Sequence, residues 1–156
     1  MLRDEMLKLI QEGILAPSAD NMQPWKFRID GDCLELSLDR NLMGLFFDPA
    51  DVASKMGCGA VLENIDQQAR SMGLSIDIDP YSVTDQSTPI RMTFTAHDQQ
   101  RSDHYATEVF SRCTDRGLYR KSLQVNEADR KKLDDAVRSL SDYSLTFYDL
   151  DNQRKA

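Results

Sequence analysis

In the run Trp25-Lys26-Phe27-Arg28-Ile29 every second residue is large and apolar, and Leu34, Leu36 and Leu38 repeat that spacing after Cys33. Period-two alternation marks a strand with one buried face and one wet face. Asp30-Gly31-Asp32 lies between the runs and is a turn signal, so residues 25–38 are predicted as a β-hairpin. A lone hairpin is marginal at best in water, so the rest of the chain has to supply neighbouring strands and a cover. Leu74–Ile78 and Ile90–Ala96 read as two such strands, separated by a polar loop containing Pro80 and Pro89. Alternation in the segment from Tyr143 to Leu150 predicts a final strand.

Helices supply the cover. Leu2, Met6, Leu9, Ile10 and Ile14 recur at helical spacing; Gly13 weakens the end of that helix and Pro17 stops it by Ala16. A long helix is predicted from Val52 to Met72, with Asp48 or Asp51 as its cap and Gly73 closing its C-terminus. Gly57, Gly59 and Ala60 give its first half small side chains, which read as a place where another backbone approaches closely. With Val61, Leu62 and Ile65 beside them, they make this helix the predicted contact of a homodimer. His104–Phe110 is a short helix candidate, and Asn126 is expected to cap a further helix carrying Leu133, Val137 and Leu140. Helices and strands are interspersed, which favours an α+β or α/β class. At 156 residues the chain is long enough for a single domain with its own core.

Composition narrows the function classes. The formal net charge of −7 argues against a general nucleic-acid role, which needs clustered cations. Cys33, Cys58 and Cys113 are odd in number and form no CxxC or CxxH pattern, so neither a disulfide framework nor a zinc site is expected, and the predicted compartment is a reducing cytoplasm. No apolar run approaches ~20 residues, so no membrane span is expected. The N-terminal stretch MLRDEMLKLIQEG is acidic and lacks the core of a signal peptide. His97 and His104 have no acidic partners at metal-ligand spacing and read as surface residues; Cys58 reads as a small core residue. GxSxG, HExxH, P-loop and GxGxxG patterns are absent.

Two segments carry candidate chemistry. APSADNMQPW, residues 16–25, breaks a helix and launches the first strand. Structurally it is a corner made of turn formers, with Trp25 as a core anchor. Functionally, Ser18, Asn21 and Gln23 offer a hydroxyl and side-chain amides, the mixed donors and acceptors that a heteroaromatic ring edge requires. SRCTDRGLYRK, residues 111–121, concentrates Arg112, Arg116, Arg120 and Lys121 in an otherwise acidic chain. It reads either as a solvated face balancing nearby acids or, with the Thr114 hydroxyl, as a fork for a phosphate monoester.

Together the two segments resemble the nitroreductase family of FMN-dependent oxidoreductases. The family carries APSxxNxQPW after a helix, matched here at Ala16, Pro17, Ser18, Asn21, Gln23, Pro24 and Trp25. Its basic RRSxRxF segment is similar to the stretch around Arg112, Thr114 and Arg116, with Leu118 or Tyr119 at the aromatic place, and GAVLENIDQQARSMGL resembles its long central dimer helix. The resemblance implies an α+β nitroreductase-like fold, a mixed sheet with flanking helices and a long central helix. It implies FMN between two lobes or subunits, with Arg112, Thr114 and Arg116 on its phosphate or ribityl chain and Ser18, Asn21 and Gln23 at its ring. Hydride would pass from NAD(P)H through the flavin to a nitroaromatic, quinone or similar small aromatic acceptor, with no side chain needed as a general acid. In ordinary members the basic segment precedes the APS motif, whereas here it follows by about ninety residues. That order resembles a two-lobed subgroup, some of whose members are fused to ThiF-like adenylating domains. On that reading the chain is one lobe plus the start of a second, from about residue 108. The alternative function is a non-catalytic flavin-binding or dimerisation module, partnering an adenylating domain.

Overall fold

Trp25–Asp30 (β1) and Cys33–Leu38 (β2) form the expected hairpin, in register from Trp25 opposite Leu38 to Asp30 opposite Cys33. Gly31 takes the first position of its two-residue loop at φ +58°, a conformation that costs glycine little. The computed structural model describes residues 3–43, 48, 50–79, 89–96, 109–118, 125–138 and 143–147. The chain divides into two units, Met1–Thr114 and Asp115–Ala156.

In the first unit, Leu74–Ile78 (β3) and Ile90–Ala96 (β4) complete a four-stranded sheet in the order β1-β2-β4-β3. Every ladder is antiparallel; the parallel pairing that a mixed sheet requires is not among the described residues. The register aligns Ile29, Leu34, Met92 and Ile78 in one row across all four strands, with Phe27, Leu36 and Ile90 in the next. Alternation puts these rows on one face. The opposite face carries Arg28, Glu35 and Arg91 in line, where Arg28 Nε donates to Glu35 at 2.7 Å and Arg91 Nη1 approaches it at 3.3 Å.

Arg3–Gly13 (α1) and Val52–Ser71 (α2) cover the apolar face. Leu9, Val61, Ile65 and Ala69 meet Leu34, Leu36 and Met92 in the core. Full burial of each large side chain among them contributes roughly 1.5–3 kcal/mol. The two helices pack closely because α1 ends on glycine: a Cβ on Gly13 would lie 3.1 Å from Ile65 and 3.3 Å from Val61. The cap of α2 is Asp48, whose carboxylate accepts from the Ala53 and Ser54 amides and from the Ser54 hydroxyl at 2.8–2.9 Å. Asp51 precedes the helix in a left-handed conformation and makes no side-chain cap. Gly73, at φ +70°, follows its other end.

Helix α1 stops at Gly13, within the limit that Pro17 sets, and continues as turns through Ala16. Two expectations change. The face of α2 assigned to a dimer is largely internal: Val61 and Ile65 are fully buried, and Gly57 lies under Pro17 and Trp25 of the same unit. Helical periodicity says that a face is apolar and small, but not which neighbour fills it. Of the strand expected over residues 143–150, residues 143–147 are not in a strand and pair with no ladder among the described residues, and 148–150 lie outside them. In that second unit, Glu127–Arg138 (α3) is capped by Asn126, which accepts from the Asp129 amide at 2.8 Å, and Arg130 lies 5.1 Å over the Phe147 ring. Of the short helix proposed for His104–Phe110, residues 109–111 are helical. His97, residues 104–108 and Leu140 lie outside the described residues.

Candidate functional site

The corner between α1 and β1 is the most strained stretch of described backbone. Asp20, Asn21 and Gln23 have φ of 48°, 57° and 47°. Asp and Asn tolerate this left-handed region; Gln does so less readily, and each such residue costs of order 1 kcal/mol or more. The corner persists because several bonds determine it. Asn21 and Met22 amides donate to the Ser18 and Ala19 carbonyls at 3.1 and 3.0 Å. The Gln23 amide donates to Ser18 Oγ at 3.0 Å. Gln23 Nε2 donates to the Ile14 carbonyl at 3.3 Å. Below the corner, Gly57 leaves room where a Cβ would meet the Pro17 carbonyl at 3.1 Å and the Trp25 ring at 3.3 Å.

The end of α1 is a docking point for three side chains. The turns that follow it pair the Ile10, Glu12 and Gly13 carbonyls with the Ile14, Leu15 and Ala16 amides, and side chains take a further share of the carbonyls from Glu12 to Leu15. Asn64 Nδ2 of α2 donates to Glu12 O at 3.2 Å, Gln23 Nε2 to Ile14 O, and Arg112 Nη2 to Leu15 O at 3.0 Å. A cation at a helix C-terminus also complements the macrodipole. Arg112 and Leu15 are 97 residues apart in sequence, so folding brings the start of the basic segment to the edge of the APS corner.

The six candidate residues thus separate by role. The Ser18 hydroxyl and the Gln23 amide hold the turn. The Asn21 side chain is exposed and makes no hydrogen bond among the described residues, so its amide is available to a ligand. Arg112 and Thr114 lie in the first unit with exposed side chains, whereas Arg116 belongs to the second unit. Trp25 is 9 % exposed and its indole Nε1 has no partner among the described residues. It is a core anchor, as its place in the alternation predicts.

Two contributors escaped the sequence reading. Glu12 is 5 % exposed, its Oε2 lacks a partner among the described residues, and burial raises its pKa. Asn64 stands in the segment that resembles the family's central helix, which assigns its side chain no role; its bond to Glu12 O reveals one. Cys58 is buried, with its thiol pushed up to about 11 by desolvation. The three cysteines are free, and no cluster of metal-ligating side chains occurs among the described residues. No described helix is long and apolar enough to cross a membrane.

No protein-family model matches the sequence, and a search of curated proteins finds no similar chain. Solved structures do match. One, from Desulfovibrio desulfuricans, is assigned as a nitroreductase in complex with FMN: it superposes with a TM-score of 0.50 at 18 % identity, over 65 % of this chain and 78 % of that one. A protein from Clostridium acetobutylicum assigned as an NADH oxidase gives 0.50 at 17 % identity, over 63 % and 78 %. One from Parabacteroides distasonis assigned as an NADH dehydrogenase/NAD(P)H nitroreductase gives 0.50 at 18 %, over 76 % and 88 %. The chain has the α+β fold of the nitroreductases.

Proposed function

We propose that this chain is an FMN-dependent oxidoreductase moving hydride from NAD(P)H to a nitroaromatic, quinone or similar small aromatic acceptor. The observation that carries the reading is the docking of Gln23 and Arg112 on adjacent carbonyls, Ile14 and Leu15, which joins the two segments that the family resemblance singles out. The fold, shared with an FMN complex and with proteins assigned to NAD(P)H chemistry, supports it.

The donor set fits FMN. Asn21 offers an uncommitted amide at the ring side, beside Ser18 and Gln23. Arg112, Thr114 and Arg116 are assigned to the phosphate and ribityl chain. Arg112 uses one Nη2 donor on Leu15, and a guanidinium carries five N–H groups in all. Asp48 already occupies the N-terminus of α2, so a phosphate depends on side-chain cations and not on that helix end. When bound, FMN supplies the hydride chemistry, and the chain supplies binding and orientation. No residue is assigned as a general acid or base. A second copy, or a second lobe of the same parent chain, completes the site, and the assembly works in the cytoplasm.

The test is NADH and NADPH oxidation by the chain loaded with FMN, with and without a nitroaromatic or a quinone. Acceptor-dependent oxidation is expected. FMN bound without turnover would make the chain a flavin-binding module, and failure to retain FMN would remove the flavin reading.

A further inference from the structure

We infer that Arg112 is a positioning residue for the corner: through the Leu15 carbonyl it helps fix the left-handed turn that presents Asn21. The inference rests on the flavin reading for its functional meaning, but its physical basis is independent of it. Three non-glycine residues at positive φ persist only where the surroundings over-determine them. The bonds donated by the Gln23 amide to the Ser18 hydroxyl and by the Asn21 and Met22 amides are internal to the corner. The corner is tied to the helix before it by Gln23 on Ile14 O, and the neighbouring carbonyl, Leu15 O, is held by Arg112. Leu15 connects directly to Ala16, Pro17 and Ser18, whose hydroxyl accepts the Gln23 amide. Loss of Arg112 frees a carbonyl two residues before the rigid Pro17. The turn beyond then loses a restraint that no residue within it replaces.

A guanidinium that only reads phosphate and one that also positions the corner make different demands on a ligand without phosphate. The experiment measures backbone amide exchange by NMR on the unliganded full chain, for wild type, Arg112→Ala and Arg112→Lys. Exchange at Asn21, Met22 and Gln23 is expected to rise about fivefold in Arg112→Ala, the effect of one exposed hydrogen bond. Lysine keeps a donor able to reach a carbonyl and is expected to restore most of the protection. Amides of β2 are expected to be unchanged. Unchanged corner amides in Arg112→Ala overturn the inference, and so does equal acceleration at the corner and in β2, which would make Arg112 a general stability residue. In a second arm, Arg112→Ala is expected to weaken riboflavin about fivefold; full riboflavin affinity with weakened FMN would make Arg112 a phosphate reader alone. A wild-type chain that binds neither flavin removes the flavin reading, while the exchange measurement still decides the role of Arg112.

Discussion

Glu12 is a carboxylate in an unfavourable place: buried, in the last turn of a helix where the dipole is negative, with one oxygen unpartnered among the described residues. Burial raises its pKa above the ordinary 4.5. A raised carboxylate pKa means that the fold holds the proton more tightly than the unfolded chain does. Its contribution to stability is therefore fully present below pH 4.5 and is lost as pH rises through the folded value. Glu12→Gln should stabilise the protein at pH 7, by about 1 kcal/mol, and the gain should vanish in melts at pH 4. A gain of equal size at both pH values would rule out titration as the cause. Glu35 behaves oppositely. The hydrogen bond from Arg28 holds its carboxyl below the usual range against its burial, so its contribution is present above the ordinary value and fades as pH falls. Trp25 anchors the corner from below, and Trp25→Ala should cost ~3–5 kcal/mol, as for emptying a large core site. A variant melting like the parent would contradict that anchor role.

At the scale of elements, α2 makes the sharpest comparison. Gly57 has the Pro17 carbonyl and the Trp25 ring where a Cβ would sit, while Gly59 has nothing within 4 Å. Gly57→Ala should destabilise by roughly 1–3 kcal/mol, as overpacking does. Gly59→Ala should stabilise by roughly 0.5–1 kcal/mol, through helix propensity alone. Denaturant midpoints moving in the same direction would refute this division. The two glycines were equivalent in the sequence, as parts of one small-residue face, because spacing records size and period but not the neighbour. The strands were more legible: β3 and β4 have the predicted bounds, since an amphipathic strand writes its buried face into every second residue. In the last predicted strand, residues 143–147 have no ladder among the described residues, and alternation does not encode a partner. Of the corner, the residue types were legible. That the Ser18 hydroxyl and the Gln23 amide also hold the turn was not, because it depends on left-handed backbone that the structure reveals.

At the scale of the whole molecule, the proposed homodimer loses its original face but not its helix. Val52 and Met56 remain 56 % and 72 % exposed on α2, on the same side as the open Gly59. Light scattering at micromolar concentration should give twice the chain mass, and Met56→Glu should reduce it to one. A monomer at every concentration would exclude self-association of this chain through α2. The central claim, that the corner and the basic segment together hold FMN, is met most directly by fluorescence titration of FMN and riboflavin into wild type and Arg112→Glu/Arg116→Glu. Saturable FMN binding by wild type is expected, with the double variant losing at least tenfold more affinity for FMN than for riboflavin, since charge-assisted bonds to phosphate are each worth about 1.5–3 kcal/mol. Equal losses for the two ligands, or no binding of FMN by the wild-type chain, would contradict it.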